Sequence, residues 1–282
     1  MSPVEAACSI TALVSHRPPH GQAAKFRCPG SAGYNNGMMR RDVSLFATCL
    51  GDALFPDAVE SVVHVLRRAG ARVFYPGGQT CCGQAAYNAG YRAEAARMAR
   101  QTIRAFRGAR QVVIPSGSCA AMVRHYYADL FSDDPLALAE AEDLAGRMFE
   151  FSEYLVRVAG VQDVGATYPG RVTYHTSCHM LRGLNVRDEP LSLLANVRGC
   201  DVAPLDRPAL CCGFGGTFAV KMPDISGAML DEKIADVRQT GARTLVSCDS
   251  GCLMHIAGGL RRAGMADVQC LHLAQVLERR AQ

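Results

Sequence analysis

Two cysteine pairs, Cys81-Cys82 and Cys211-Cys212, are each followed by glycine, and each sits inside a wider set of thiols. Cys49 lies 32 positions before Cys81, and Cys178 lies 33 before Cys211. Cys119 follows Cys82 by 37 positions, while Cys248 and Cys252 follow Cys212 by 36 and 40. One copy maps onto the other at offsets of 129 (Cys49 to Cys178), 130 (both paired cysteines) and 133 (Cys119 to Cys252). Recurrence this close marks an internal duplication whose shared feature is thiols.

Thiolates are soft ligands that favour zinc, copper(I) and iron–sulfur clusters. A zinc ribbon wants two short Cys-x-x-Cys knuckles, and neither copy supplies them. Adjacent cysteines diverge, so both reach one small tetrahedral ion with difficulty, whereas a cluster of several irons can take neighbouring thiolates at different irons. Five thiols in the second copy also exceed the four of an ordinary cubane. The residues therefore favour an iron–sulfur cluster over zinc, with small glycines letting backbone amides approach cluster sulfurs. Cys8, Cys28, Cys200 and Cys270 fall outside the repeat and read as small buried hydrophobes. His175 and His179 flank Cys178 and read first as ordinary hydrogen-bonding residues, with ligation as the alternative. Lys221 and Arg182 could balance thiolate charge but read first as solvated side chains.

The elements that must position these thiols alternate strand and helix. Val43–Ala47 is apolar and ends at Cys49; Pro56 opens a helix with Val59, Val62, Val63 and Leu66 on one face. A strand at Arg72–Tyr75 turns into Cys81-Cys82-Gly83. A helix at Arg92–Phe106, a strand at Gln111–Ile114, a helix starting near Cys119 and helices at Pro135–Met148 and Ser152–Val158 complete the first half. A Gly/Pro boundary lies at Gly165–Gly170. The second half repeats this order: strands at Arg171–His175, near Val202, at Arg243–Ser247 and at Val268–Leu271. Its helices lie at Leu191–Val197, Ile225–Arg238, Cys252–Arg262 and Leu273–Arg279. The expected fold is α/β, two pseudo-repeated Rossmann-like halves with mostly parallel sheets and the cysteines just past the carboxyl ends of strands. The division expected is a leader over 1–40, a first cysteine-rich repeat over 41–165 and a second over 166–282.

Composition narrows the class. The chain has 282 residues, a net charge of +4 and 13 cysteines, but no basic stripe interleaved with aromatics, so no nucleic-acid partner is expected. No apolar run suits a secretion signal or a membrane span. A cytosolic, and so cytoplasmic, protein is expected, where cysteines at fixed spacing point to metal or redox chemistry rather than disulfides. Residues 1–40 read as a poorly ordered tail, and Met38-Met39 stands just before the first strand, so translation is expected to start at Met38 or Met39. No Gly-x-Gly-x-x-Gly occupies a strand-to-helix turn, so the chain itself is expected to bind neither NAD nor FAD.

Several longer motifs carry a resemblance. They are Gly78-Gln79-Thr80-Cys81-Cys82-Gly83-Gln84-Ala85-Ala86-Tyr87-Asn88-Ala89-Gly90-Tyr91, Pro115-Ser116-Gly117-Ser118-Cys119, His175-Thr176-Ser177-Cys178-His179, Cys211-Cys212-Gly213-Phe214-Gly215-Gly216-Thr217-Phe218 and Asp249-Ser250-Gly251-Cys252-Leu253-Met254. Together they resemble the cysteine-rich, CCG-domain family of iron–sulfur proteins over about residues 41–280. That family includes the cysteine-rich component of heterodisulfide reductase and the iron–sulfur component of glycolate oxidase. The resemblance implies an iron–sulfur electron-transfer component of a system oxidising L-lactate to pyruvate, in which a small 2-hydroxy acid is the substrate and companion proteins B and C take part. It implies one or two [4Fe-4S]-type clusters, on Cys49, Cys81, Cys82 and Cys119 in the first half and Cys178, Cys211, Cys212, Cys248 and Cys252 in the second. Thiol–disulfide reduction, a glycolate or other 2-hydroxy-acid oxidase component and a zinc-binding assembly scaffold are the alternatives. The chain departs from the family pattern in two places: three residues separate Cys248 from Cys252 where two are usual, and Pro115 stands where the first copy would have its matching cysteine.

Overall fold

The structure, a computed structural model, describes residues 41–280. The expected leader, with Cys8, Cys28, Met38 and Met39, lies outside the described residues. The fold is α/β, as the alternating pattern predicts. The first half forms a four-stranded sheet from β1 (Arg41–Leu45), β2 (Ala71–Phe74), β3 (Val112–Ile114) and β4 (Met148–Glu150), in the order β2-β1-β3-β4. The second half repeats it with β5 (Thr167–Tyr174), β6 (Arg198–Val202), β7 (Thr244–Ser247) and β8 (Gln269–His272), in the order β6-β5-β7-β8. Every pairing is parallel.

Sequence accounts for these positions. Val112, Val113 and Ile114 are an uninterrupted apolar run with no exposed surface, as a central parallel strand with both faces covered requires. The edge strand β2 reads Ala-Arg-Val-Phe and buries only Ala71. The helix Pro56–Arg68 begins with proline at its first position and buries Val59, Val62, Val65 and Leu66 at helical spacing. In both sheets the chain leaves the first strand for one edge and then crosses back. The reversal opens a crevice past the carboxyl ends of β1 and β3, and again of β5 and β7, where such sheets take ligands.

Two expected elements differ. The helix from Pro135 ends at Gly146, and Met148–Glu150 pairs with β3 as β4. The Gly165–Gly170 stretch holds the start of β5, which begins at Thr167 and slips register between Thr167 and Gly170. The halves are closely joined: the larger apolar core takes residues from both, including Leu45, Ile114, Val172 and Leu273. The C-terminal helix Leu273–Glu278 docks on the helix Pro56–Arg68, where Arg68 donates to the carbonyls of Leu277 and Glu278 at 2.9 and 2.8 Å and Glu278 takes bonds from Ser61 and His64.

Candidate metal centre in each half

In the first half Cys49 opens the short helix after β1, Cys81 and Cys82 lie in the loop after β2, and Cys119 is the third residue of the helix Gly117–Ala121 after β3. The four thiols form a chain of contacts: Cys49 meets Cys81, Cys81 meets Cys82, and Cys82 Sγ lies 3.2 Å from Cys119 Sγ. In the second half Cys178 Sγ lies 4.0 Å from Cys211 Sγ, Cys211 meets Cys212, and Cys212 Sγ lies 3.3 Å from Cys252 Sγ. Cys252 is again the third residue of its helix, Ser250–Arg262. None of these separations is that of a disulfide, about 2.05 Å, and all eight thiols are free.

Glycine explains the third letter of the repeated motif. Gly83 and Gly213 both have φ +87°, and each donates its amide to the preceding cysteine but one: Gly83 N to Cys81 Sγ and Gly213 N to Cys211 Sγ, both at 3.4 Å. A Cβ at Gly213 would lie 2.6 Å from the Ser226 carbonyl oxygen of the adjoining helix. The glycine thus lets the helix press against the loop while its amide faces sulfur. Donation from Cys49, then Cys82, holds the Cys81 thiol well below its ordinary range, and Cys178, then Cys212, does the same for Cys211. Cys49 and Cys178, the donors of those bonds, are pushed the other way. Thr48, just before Cys49, takes φ +68° and ψ 156°, a region nearly confined to glycine and worth about 1–3 kcal/mol of strain. Its Oγ1 accepts from Gly51 N at 3.2 Å, fixing the turn that aims Cys49.

The second site holds a group the first lacks. His175 is fully buried and neither ring nitrogen has a hydrogen-bond partner. A nitrogen of His175 and the sulfurs of Cys212 and Cys252 all lie within 4.8 Å of one another. Burial, with help from the nearby Lys233 ammonium, lowers the His175 pKa to about 3 and keeps the ring neutral. Lys233 is itself fully buried, with Nζ 3.3 Å from both Asp236 Oδ2 and the Arg207 carbonyl. The cations singled out in the sequence lie elsewhere: Lys221 sits over the Tyr91 ring and Arg182 donates to the Ala209 carbonyl. His179 Nδ1 is 3.9 Å from Cys178 Sγ, while its Nε2 is 3.3 Å from Gln84 of the first half.

The structure does not bring Cys248 into the chain of sulfur contacts. It follows β7 where Pro115 follows β3, is fully buried, and its Sγ lies 3.6 Å from the Tyr174 hydroxyl. Burial, then the neighbouring Glu150 carboxyl of the first half, pushes its thiol well up. Glu150 caps the helix after β4, and burial raises its own pKa to about 7. Asp249 ties the two sites together: Oδ1 accepts from Gly251 N at 3.2 Å, and Oδ2 accepts from Ser118 N, next to Cys119, at 2.8 Å. Cys200 and Cys270 lie on β6 and β8, half-buried against the apolar cores, as small hydrophobes would. Glu150, Lys233 and Asp249 were not legible as site neighbours, because their roles depend on contacts between distant segments.

Two sets of four soft donors at sheet crevices, each with a backbone amide on one sulfur, fit a sulfur-bound metal centre. The profile of a family described as Cysteine-rich domain, or CCG, matches residues 43–124 and 172–257, one match per half. The chain belongs to this family. Both matches contain a full four-thiol set: Cys49 to Cys119 in the first, Cys178 to Cys252 in the second. Among similar proteins, Lactate utilization protein A of Shouchella clausii (strain KSM-K16) is 48% identical over 236 residues, covering 84% of this chain and 98% of that protein. Lactate utilization protein A 2 of Bacillus cereus (strain 03BB102) is 47% identical over 235 residues, 83% of this chain and 97% of that one. Lactate utilization protein A 1 of Bacillus anthracis (strain CDC 684 / NRRL 3495) is 46% identical over the same shares. Among the described residues no helix is long and apolar enough to cross a membrane.

Proposed function

We propose that this CCG protein is a cytoplasmic iron–sulfur electron-transfer component of a system that oxidises L-lactate to pyruvate, working with lactate utilization proteins B and C. The observation that carries the reading is the doubled four-sulfur arrangement, free of disulfides, at the two sheet crevices. The names of the similar proteins supply the substrate. Oxidation of lactate to pyruvate releases two electrons and two protons, and a [4Fe-4S]-type cluster supplies one-electron steps that pass the electrons onward. Cys49, Cys81, Cys82 and Cys119 would hold one cluster, and Cys178, Cys211, Cys212 and Cys252 the other. Cys81 and Cys211, whose thiols are held below their ordinary range, would bind as thiolates. The amides of Gly83 and Gly213 would lower the electron density on those sulfurs and so tune the potential. Val220, Met222 and Ile225 are exposed beyond the second glycine-rich loop and offer apolar surface to partner proteins.

One observation favours a second reading. The trio His175, Cys212 and Cys252 is a mixed nitrogen–sulfur set of the kind zinc takes, which suits a scaffold that assembles partners without redox chemistry. Metal and acid-labile sulfide analysis of anaerobically purified protein separates the two. Iron with matching sulfide is expected; zinc without sulfide would establish the scaffold instead.

A further inference from the structure

The pseudo-two-fold relation that superposes Cys49 on Cys178 also superposes Phe46 on His175, both at the offset of 129. Both side chains are fully buried just past the end of the first strand of their sheet. The first half fills this place with hydrocarbon. The second fills it with an imidazole whose two nitrogens have no partner. An unpartnered buried polar group of this kind costs about 1–3 kcal/mol, and a buried polar group left so calls for an explanation. The main chain at His175 is held in place on both sides. His175 N donates to the Val246 carbonyl at 2.8 Å, and its own carbonyl accepts from Ser247 Oγ at 3.0 Å. The ring faces Cys212 and Cys252, with all three donor atoms inside 4.8 Å. Cys248, which the sequence offered as the fifth donor of this half, points instead to Tyr174.

We infer that His175 is a nitrogen ligand of the second half's metal centre, beside the sulfurs of Cys212 and Cys252, so that the two halves hold different centres: sulfur donors alone in the first, sulfur and imidazole in the second. The inference rests on the reading that the cysteines hold metal. It gives the duplicated protein two unequal stations instead of two copies of one. A neutral imidazole among thiolates is a recognised means of setting one iron–sulfur centre apart from another.

The test uses the full chain, purified anaerobically and labelled with nitrogen-15 at histidine. Pulsed electron paramagnetic resonance of the reduced wild type is expected to show a directly bound nitrogen. The signal should persist in His179→Gln and vanish in His175→Phe, which installs the first half's own residue and should retain iron. Iron present with no bound nitrogen overturns the inference while leaving the metal reading intact. So does a signal that survives in His175→Phe or is lost in His179→Gln. Zinc in place of iron overturns the cluster but not the ligand: metal-edge X-ray absorption would then show sulfur with one nitrogen in the wild type and sulfur alone in His175→Phe. Absence of any metal overturns both readings. Stability provides a check free of spectroscopy. Metal-free His175→Phe should unfold at a higher temperature than the metal-free wild type, because two orphaned polar atoms are gone, whereas metal should raise the midpoint of the wild type more. A metal-free variant less stable than the wild type would indicate that the imidazole has an ordinary structural partner.

Discussion

Gly83→Ala and Gly213→Ala look equivalent in sequence but should differ in the folded protein. Both glycines sit at φ +87°, so alanine at either place incurs about 1–2 kcal/mol of left-handed strain. The space around them is not the same. At Gly83 the added Cβ meets the Ala95 carbonyl oxygen at 3.2 Å and Met98 Cβ at 3.4 Å, close but tolerable with a small shift. At Gly213 it meets the Ser226 carbonyl oxygen at 2.6 Å and Met229 Cβ at 3.0 Å, so the helix Pro223–Thr240 must move. Overpacking of that kind adds about 1–3 kcal/mol. Gly213→Ala should therefore be less stable than Gly83→Ala by about 1–3 kcal/mol, or several degrees in midpoint at about 2–4 °C per kcal/mol for a chain of this size. Thermal unfolding of the two metal-free variants reads the difference without interference from ligand binding. Equal midpoints, or a lower one for Gly83→Ala, would refute the close contact between the second loop and its helix.

Cys248→Ala should keep the wild-type metal content per chain, whereas Cys212→Ser should lose that of the second half; equal losses on metal analysis would place Cys248 among the ligands. Asp249→Ala removes the acceptor for both Gly251 N and Ser118 N, each a cap worth about 1 kcal/mol. It should lower stability in urea by about 2 kcal/mol and Ser116→Ala, which caps only the Cys119 helix, by about half that; the reverse order would mean that the bond between the halves does not form. His272 donates from Nε2 to the Pro115 carbonyl and accepts at Nδ1 from Ala274 N, and burial lowers its pKa to about 4 from an unfolded value of about 6.5. The unfolded chain then binds the extra proton between those values, so stability held above pH 6.5 is lost as pH falls to 4, by about 3 kcal/mol at 1.4 per pKa unit. His272→Asn keeps a capping acceptor without that titration, so the stability gap between wild type and variant should narrow from pH 7 to 4.5; a constant gap in urea unfolding would contradict a neutral buried ring.

The thiol sets were legible because duplication repeats spacing as well as residue type, and strand ends followed by Cys place donors at one sheet edge whatever the details of packing. The fold class followed from the same alternation. What stayed hidden depends on contacts that sequence spacing does not carry. Met148–Glu150 is only three residues and follows a helix with Arg147 alone between, so Met148 read as the end of that helix and Phe149 and Glu150 as the link to the next, and the burial of Glu150 stayed hidden. Lys233 has the look of an exposed helix residue; the Arg207 carbonyl, far from it in sequence, and Asp236 make its burial possible. Asp249 as cap of its own helix is readable in Asp-Ser-Gly-Cys, but its second bond reaches across to the other half. Cys248 and Cys252 belong to one motif, yet one lies just past β7 with its sulfur at the Tyr174 hydroxyl and the other lies inside the next helix with its sulfur at Cys212.

The central claim is that each half gathers its sulfurs around iron. A Mössbauer spectrum of iron-57-enriched protein, isolated without oxygen, tests it most directly when taken for the wild type, Cys82→Ser and Cys212→Ser. The account predicts sulfur-bound cluster iron in the wild type, with each variant losing a different part of the spectrum. Iron signals that both substitutions leave untouched, or protein that holds no iron, would contradict it.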